Sequence, residues 1–340
     1  MNPLLQDQNH IQRLHHSLLE WYFAHGRLEL PWRNLRGQVP TPCSTLAHID
    51  RSYGVYISEM MLQQTQVSVV LNRFYFPFLE RFPSIQSLAT SQEEEVLKLW
   101  QGLGYYSRAR NIRKTAIICT LSHQGFLPRS RIELKKLPGI GSYTSGAILC
   151  FGFGENASFV DGNIARVISR LFALPQASTA TLESLAQTLL NTQDAFNHNQ
   201  ALLDLGATLC TPKNPNCLFC PFTDFCQGKS NPHHYPTPKS REILPLTLLL
   251  GFYKKGEKLS LCKSRSKLYH GLYNPISLSN TQNAQKIASF SHHYTKYAIR
   301  AEVYLCDGEA PEEAEFFSPK EIEHLPISNL CKKALKCLQN

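Results

Sequence analysis

No apolar run in this 340-residue chain approaches the roughly 20 residues that a membrane-spanning helix needs. Stretches such as LPLTLLLGFY (244–253) are about strand length. The start, MNPLLQDQNHIQRLHH, lacks a basic segment followed by an apolar core, so no secretory signal is expected and a cytoplasmic location is. Low-complexity tracts are missing, and 43% hydrophobic with 18% charged residues excludes a disordered chain. Without an export signal, the 11 cysteines do not suggest a disulfide framework; four of them fall together between 210 and 226, which points to a metal site.

The length allows two domains with proper cores. The formal net charge of +9 favours a polyanionic partner, and the excess is shared by both sides of residue 230. From Ile11 to about Leu209 apolar residues recur three and four apart, as in EEEVLKLWQGL and GNIARVISRLFAL, with few alternating β-branched runs. After the cysteines, NPHHYPTPKSR (231–241) reads as a linker. ILPLTLLLGFY, KLSLCKS and TKYAIRAEVYLC then look like strands, closed by a helix from Ser328. The expected fold is a mainly α N-terminal part followed by an α+β C-terminal domain.

Four constellations carry chemistry. Cys210, Cys217, Cys220 and Cys226 place one Cys-x2-Cys pair between lone cysteines. Zinc sites usually come as two separated pairs, so an iron–sulfur cluster fits better, with zinc and a metal-free cluster as alternatives. Lys213 lies in the loop that a cluster would brace, where it could reach a phosphate. In LPGIGSYTSGAIL (137–149), Gly139 and Gly141 precede an apolar helix whose unpaired N–H groups attract an anion; the helix candidate RSRIELKKL before it makes a hairpin suited to a DNA backbone phosphate. Ordinary turn capping is the plain alternative. Glu59, in YISEMMLQQTQV, is a charge on an apolar helix; Asp161, in SFVDGNIARV, precedes a helix and could simply cap it. Together they suit acid/base chemistry, one carboxyl kept protonated and the other ionised. Finally, GLGYYSRARNIRK (102–114) sets aromatics beside Arg108, Arg110, Arg113 and Lys114, as base stacking and backbone contact require.

Taken together, LPWR (30–33), SEMMLQQTQV (58–67), LWQGLGYYSRARN (99–111), LPGIGSYTSGAIL, VDGN (160–163) and FNHNQALLDLGATLC (196–210) resemble the helix-hairpin-helix DNA glycosylases, specifically the adenine glycosylases that act opposite 8-oxoguanine (the MutY type). The resemblance covers roughly residues 15–230. It implies a catalytic domain over 1–230 with a 4Fe-4S loop at 210–226, a linker at 231–241, and a Nudix-like 8-oxoguanine recognition domain over 242–340. If the source is bacterial, it also implies nucleoid association. Members that also cut the strand carry a lysine where this chain has Tyr143, and no lysine occurs between Lys136 and Lys213. Base removal without strand scission is therefore expected.

By the same resemblance, Glu59 protonates the flipped adenine and later activates water, while Asp161 stabilises positive charge on the sugar with Asn163 and Tyr143 in support. Trp32, Arg33, Leu62, Gln63 and Gln200 are expected in the base pocket and at the DNA, Gln64 and Tyr105 as wedges, and Arg108, Gly139, Gly141 and Lys213 at the backbone. SFSHHY (289–294) implies 8-oxoguanine recognition by Ser291 and His292, with Phe290 supporting their loop. The residue pairs of a true Nudix hydrolase are missing, which argues against diphosphate hydrolysis.

The chain departs from the pattern between Trp32 and Glu59, where the segment is longer than the family's and Ser52 replaces a proline; it is expected to form a loop near the DNA entrance. Two rival readings are a pyrimidine-lesion glycosylase/lyase of the same fold and a non-catalytic iron–sulfur DNA-binding protein. The missing lysine opposes the first, and the Glu59–Asp161 pair opposes the second.

Overall fold

Side chains that cap helices punctuate the first two-thirds of the chain. Asp7, Asp50, Ser130, Asp161, Ser178 and Asp194 each accept a backbone N–H from the first turn of the helix that follows. In the computed structural model, which describes residues 7–35, 46, 48–237, 242–266, 268–294 and 296–338, these helices are α1 (Gln8–His25), α2 (Arg51–Leu62), α3 (Val67–Arg73), α4 (Tyr75–Arg81), α5 (Ile85–Ala89), α6 (Glu93–Leu99), α7 (Ser107–Ser122), α8 (Arg131–Lys136), α9 (Ser142–Ala147), α10 (Gly162–Leu171), α11 (Thr179–Leu189) and α12 (Ala195–Thr208). None is long and apolar enough to cross a membrane.

The chain divides into two units, one from residues 1–90 and 111–239, the other from 91–110 and 240–340. The GLGYYSRARNIRK stretch, expected whole within a 1–230 domain, is thus split at residue 110. In the helical unit α2 is the central element, buried from Ser52 through Met61. It packs against α9 and the single π-helical turn, Ile148–Gly152, that continues α9. Helix α10 buries Ile164, Val167, Ile168 and Leu171 at helical spacing and crosses α12. That crossing is close: a Cβ on Gly206 would lie 2.7 Å from the Asn163 Cβ.

The second unit is built on a seven-stranded mixed sheet. Its strands are β1 (Leu244–Lys255), β2 (Lys258–Lys263), β3 (Tyr273–Asn274), β4 (Ile276–Ser277), β5 (Ala284–Tyr294), β6 (Tyr297–Cys306) and β7 (Glu315–Phe317), followed by α13 (Pro319–Ile322) and α14 (Asn329–Lys336). The order is β3-β2-β1-β6-β5, with β1 and β6 parallel and β5 and β6 an antiparallel hairpin. The strands expected around LPLTLLLGFY, KLSLCKS and TKYAIRAEVYLC form, and Ser328 caps α14. Strand β5 was not anticipated: of its residues only alternate ones are partly covered and none is fully buried, which is the profile of an edge strand. The expected linker includes a short 3-10 turn at Pro232–His234, and its last residues, 238–241, lie outside the described residues.

Candidate active site

Glu59 sits three residues before the end of α2 and is 5% exposed. An ionised carboxylate there would be costly without partners. Burial pushes its pKa up to about 7, the Asp161 charge adds to this, and a hydrogen bond from Tyr143 and the nearby Arg33 pull the other way. The Tyr143 hydroxyl donates to Glu59 Oε2 at 2.6 Å, and its ring is fixed edge-on against Phe159. Asp161 is the N-cap of α10, accepting from the Ile164 N–H at 2.7 Å and from Asn163 Nδ2 at 3.1 Å. Capping and placement at the site therefore coexist. Burial raises the Asp161 pKa as well, against those hydrogen bonds and Arg166, so both carboxyls shift upward.

These groups line a cavity of about 180 Å³ together with Trp32, Arg33, Leu62, Asn163 and Gln200. Among the described residues, no lysine lines it. Arg33, expected in the pocket or at the DNA, lines the cavity and is tied down there. It is buried, and its guanidinium donates to both oxygens of Asp204, at 2.9 and 2.8 Å, and to the Arg27 carbonyl at 2.9 Å. Arg27 adds its own bonds from Nε and the backbone N–H to the same carboxylate, at 2.9 and 2.8 Å. Burial works against the Asp204 charge, but the two arginines outweigh it and hold its pKa below the usual carboxylate range. The Arg27–Asp204–Arg33 group was missed in the sequence. Its one local sign is an aspartate in LLDLGAT, buried on α12.

The other expected residues lie outside this cavity. Gln63 donates from Nε2 to Met60 Sδ, and Gln64 is exposed with φ +57, a left-handed conformation rare for its type. Gly139, at φ +78, makes the turn between α8 and α9, with Asn111 so close that a Cβ would meet its Nδ2 at 2.7 Å. Gly141 caps α9 and faces open space. Tyr105 belongs to the second unit and also has positive φ, +47. Arg108, expected at the DNA backbone, is 5% exposed, lies over the rings of Trp100 and Tyr105, and donates to the Leu103 and Gly104 carbonyls, so it braces its own loop. The loop expected around Phe290, Ser291 and His292 is corrected: these residues lie within β5, and strand alternation directs Ser291 to the face opposite Phe290 and His292. Lys333 of α14 donates to the Ser291 carbonyl at 3.2 Å. The long segment expected at the DNA entrance falls largely at 36–45 and 47, outside the described residues.

Cys210, Cys217, Cys220 and Cys226 are free, half-buried thiols. Burial pushes Cys220 and Cys226 up to about 12 and about 11, and other cysteines of the set add to both shifts, so the sulfurs sense one another. Arg170 Nη1 donates to Cys210 Sγ at 3.3 Å. This donor chemistry fits a cluster, although among the described residues no group of three or more His, Cys, Asp or Glu side chains is arranged to hold a metal ion. Lys213 is exposed on the intervening loop.

Residues 57–192 match the HhH-GPD superfamily of base excision DNA repair proteins. More particularly, the chain is similar to adenine DNA glycosylases. It is 40% identical to that of Buchnera aphidicola subsp. Baizongia pistaciae over 63% of this chain and 58% of the relative, and 40% identical to that of Homo sapiens over 66% and 41%. The chain thus spans about half the length of these curated relatives. Among solved structures, a thermostable thymine-DNA glycosylase aligns with TM-score 0.57 and 26% identity, covering 66% of this chain and 99% of that one. A trapped endonuclease III–DNA covalent intermediate aligns with TM-score 0.51 and 23% identity over 65% and 97%, a likeness of fold.

Proposed function

We propose that this chain removes adenine mispaired with 8-oxoguanine or guanine from duplex DNA by hydrolysing its N-glycosidic bond, leaving an abasic site and an intact backbone. One observation carries the reading: a buried carboxyl, Glu59, with its pKa pushed up to about 7, shares a cavity with Asp161 and Tyr143 and, among the described residues, with no lysine. Protonated Glu59 delivers its proton to a purine ring nitrogen, and the bonding pair leaves with the base as a neutral purine. Asp161, fixed by the α10 N-terminus and Asn163, faces the positive charge that develops on the sugar. Water then adds to the sugar carbon, and its proton returns to the Glu59 carboxylate. Tyr143 orients Glu59 through its hydroxyl and, lacking an amine, forms no Schiff base.

In the same reading, Gly139 and Gly141 seat a backbone phosphate, Gln64 and Tyr105 enter the stack, and β5 inspects the opposite base. Cys210, Cys217, Cys220 and Cys226 would hold a 4Fe-4S cluster, which when bound cross-links their loop and fixes the position of Lys213. The test is incubation with duplexes carrying adenine opposite 8-oxoguanine, adenine opposite guanine, and an oxidised pyrimidine. Prompt adenine release, with scission only after added alkali, is expected. Scission without alkali, or activity on the pyrimidine lesion alone, contradicts the reading.

A further inference from the structure

Tyr105 and the inspecting strand are joined by a run of aromatic rings within the second unit. Tyr105, held in the left-handed region immediately after Gly104, stacks on Tyr294 with ring centroids 6.4 Å apart and planes 26° apart. Tyr294 packs against Tyr269 at 4.6 Å, and Tyr269 lies 6.3 Å from His292. His292 and Tyr294 are two residues apart on β5 and share one face. Tyr269 is itself fixed by packing: it is 6% exposed, its backbone has φ +58, and its buried hydroxyl has no hydrogen-bond partner among the described residues. The loop that carries it is pinned to the start of α7, where Arg110 Nη1 donates to the His270 carbonyl at 2.6 Å. A Cβ on Gly271 would approach that same nitrogen to 3.2 Å, so the loop seats there without room to spare.

We propose that Tyr294 is a positioning residue for specificity: its ring holds the wedge Tyr105 and the His292 face of β5 in one register, so that the two meet the base opposite the adenine as a unit. This rests on the function proposed above. Offset aromatic pairs couple by about 0.5–1.5 kcal/mol, which corresponds to roughly twofold to tenfold in a rate or binding ratio. The interaction is one of ring faces, so a phenyl ring should replace the phenol.

The experiment is a double-mutant cycle of Tyr294→Ala and Tyr105→Ala on the full chain. It is read in single-turnover adenine release from duplexes with 8-oxoguanine or guanine opposite the adenine. A second readout, 2-aminopurine fluorescence beside the opposite base, reports unstacking without chemistry. The expected result is that Tyr294→Ala lowers the 8-oxoguanine-to-guanine rate ratio by roughly threefold to tenfold and loses the fluorescence rise, that Tyr294→Phe restores both, and that the double variant is no worse than Tyr105→Ala. If Tyr294→Ala does not fold, Tyr294→Leu, which keeps apolar volume without a ring face, takes its place. Additive effects, or equal losses on both duplexes, overturn the proposal. A wild-type chain that releases no adenine overturns it together with the function reading, whereas an active wild type with an additive cycle overturns this inference alone.

Discussion

At the scale of single residues, the site depends on where charge can survive. Glu59 was legible in the sequence because an acid among YIS and MML has no solvated face available. The joining of Arg27 and Arg33 on Asp204 was not, because Asp204 meets its two arginines across 177 and 171 residues of sequence and no local pattern encodes such a contact. The two acids have opposite signatures in stability. The Glu59 pKa is raised in the folded state, so the native protein holds a proton that the unfolded chain has lost between about 4.5 and 7, and stability falls as pH rises through that window. Glu59→Gln is expected to flatten the fall and to be more stable than wild type at pH 8, as urea unfolding over a pH series would show. The Asp204 pKa is lowered, so its contribution is present at neutral pH and is lost on acidification. Asp204→Asn leaves two arginines without their anion and should cost about 3–5 kcal/mol in the same measurement at neutral pH.

At the scale of elements, helices were the readable part, since 3.6-residue periodicity and side-chain caps are local signals. Strand β5 was not readable, because an edge strand with polar residues on one face and a bulge between Lys286 and Ala288 has no apolar run. Reading SFSHHY as a loop followed from that, and it hid the divergence of Ser291 and His292. Two glycines show how elements set the site. Gly206→Ala would press its methyl onto Asn163, whose carbonyl oxygen would lie 3.1 Å away, and so displace the start of α10, where Asp161 is held. The expected outcome is a stability loss of about 1–3 kcal/mol together with a disproportionate fall, about tenfold or more, in adenine release. Gly139→Ala, forced to φ +78 against Asn111, should cost about 1–2 kcal/mol and weaken duplex binding, with adenine release from bound duplex least affected.

At the scale of the molecule, the net charge of +9 is spread along the chain, in keeping with a duplex partner, and affinity should drop steeply with salt. The two-part organisation was readable from the change of pattern near residue 240. The grouping of residues 91–110 with the sheet was not, because it depends on contacts such as Gln101 to the Ile327 carbonyl and Lys263 to Glu94, distant in sequence. Loss of the proposed cluster through Cys217→Ser should abolish visible charge-transfer absorbance and weaken duplex binding. The most direct test of the whole account is single-turnover adenine release from the adenine–8-oxoguanine duplex as a function of pH, for wild type and Glu59→Gln. The account predicts a wild-type rate that declines as pH rises beyond about 7, and no release by Glu59→Gln at any pH although it still binds the duplex. Release by Glu59→Gln at a rate comparable to wild type would contradict it.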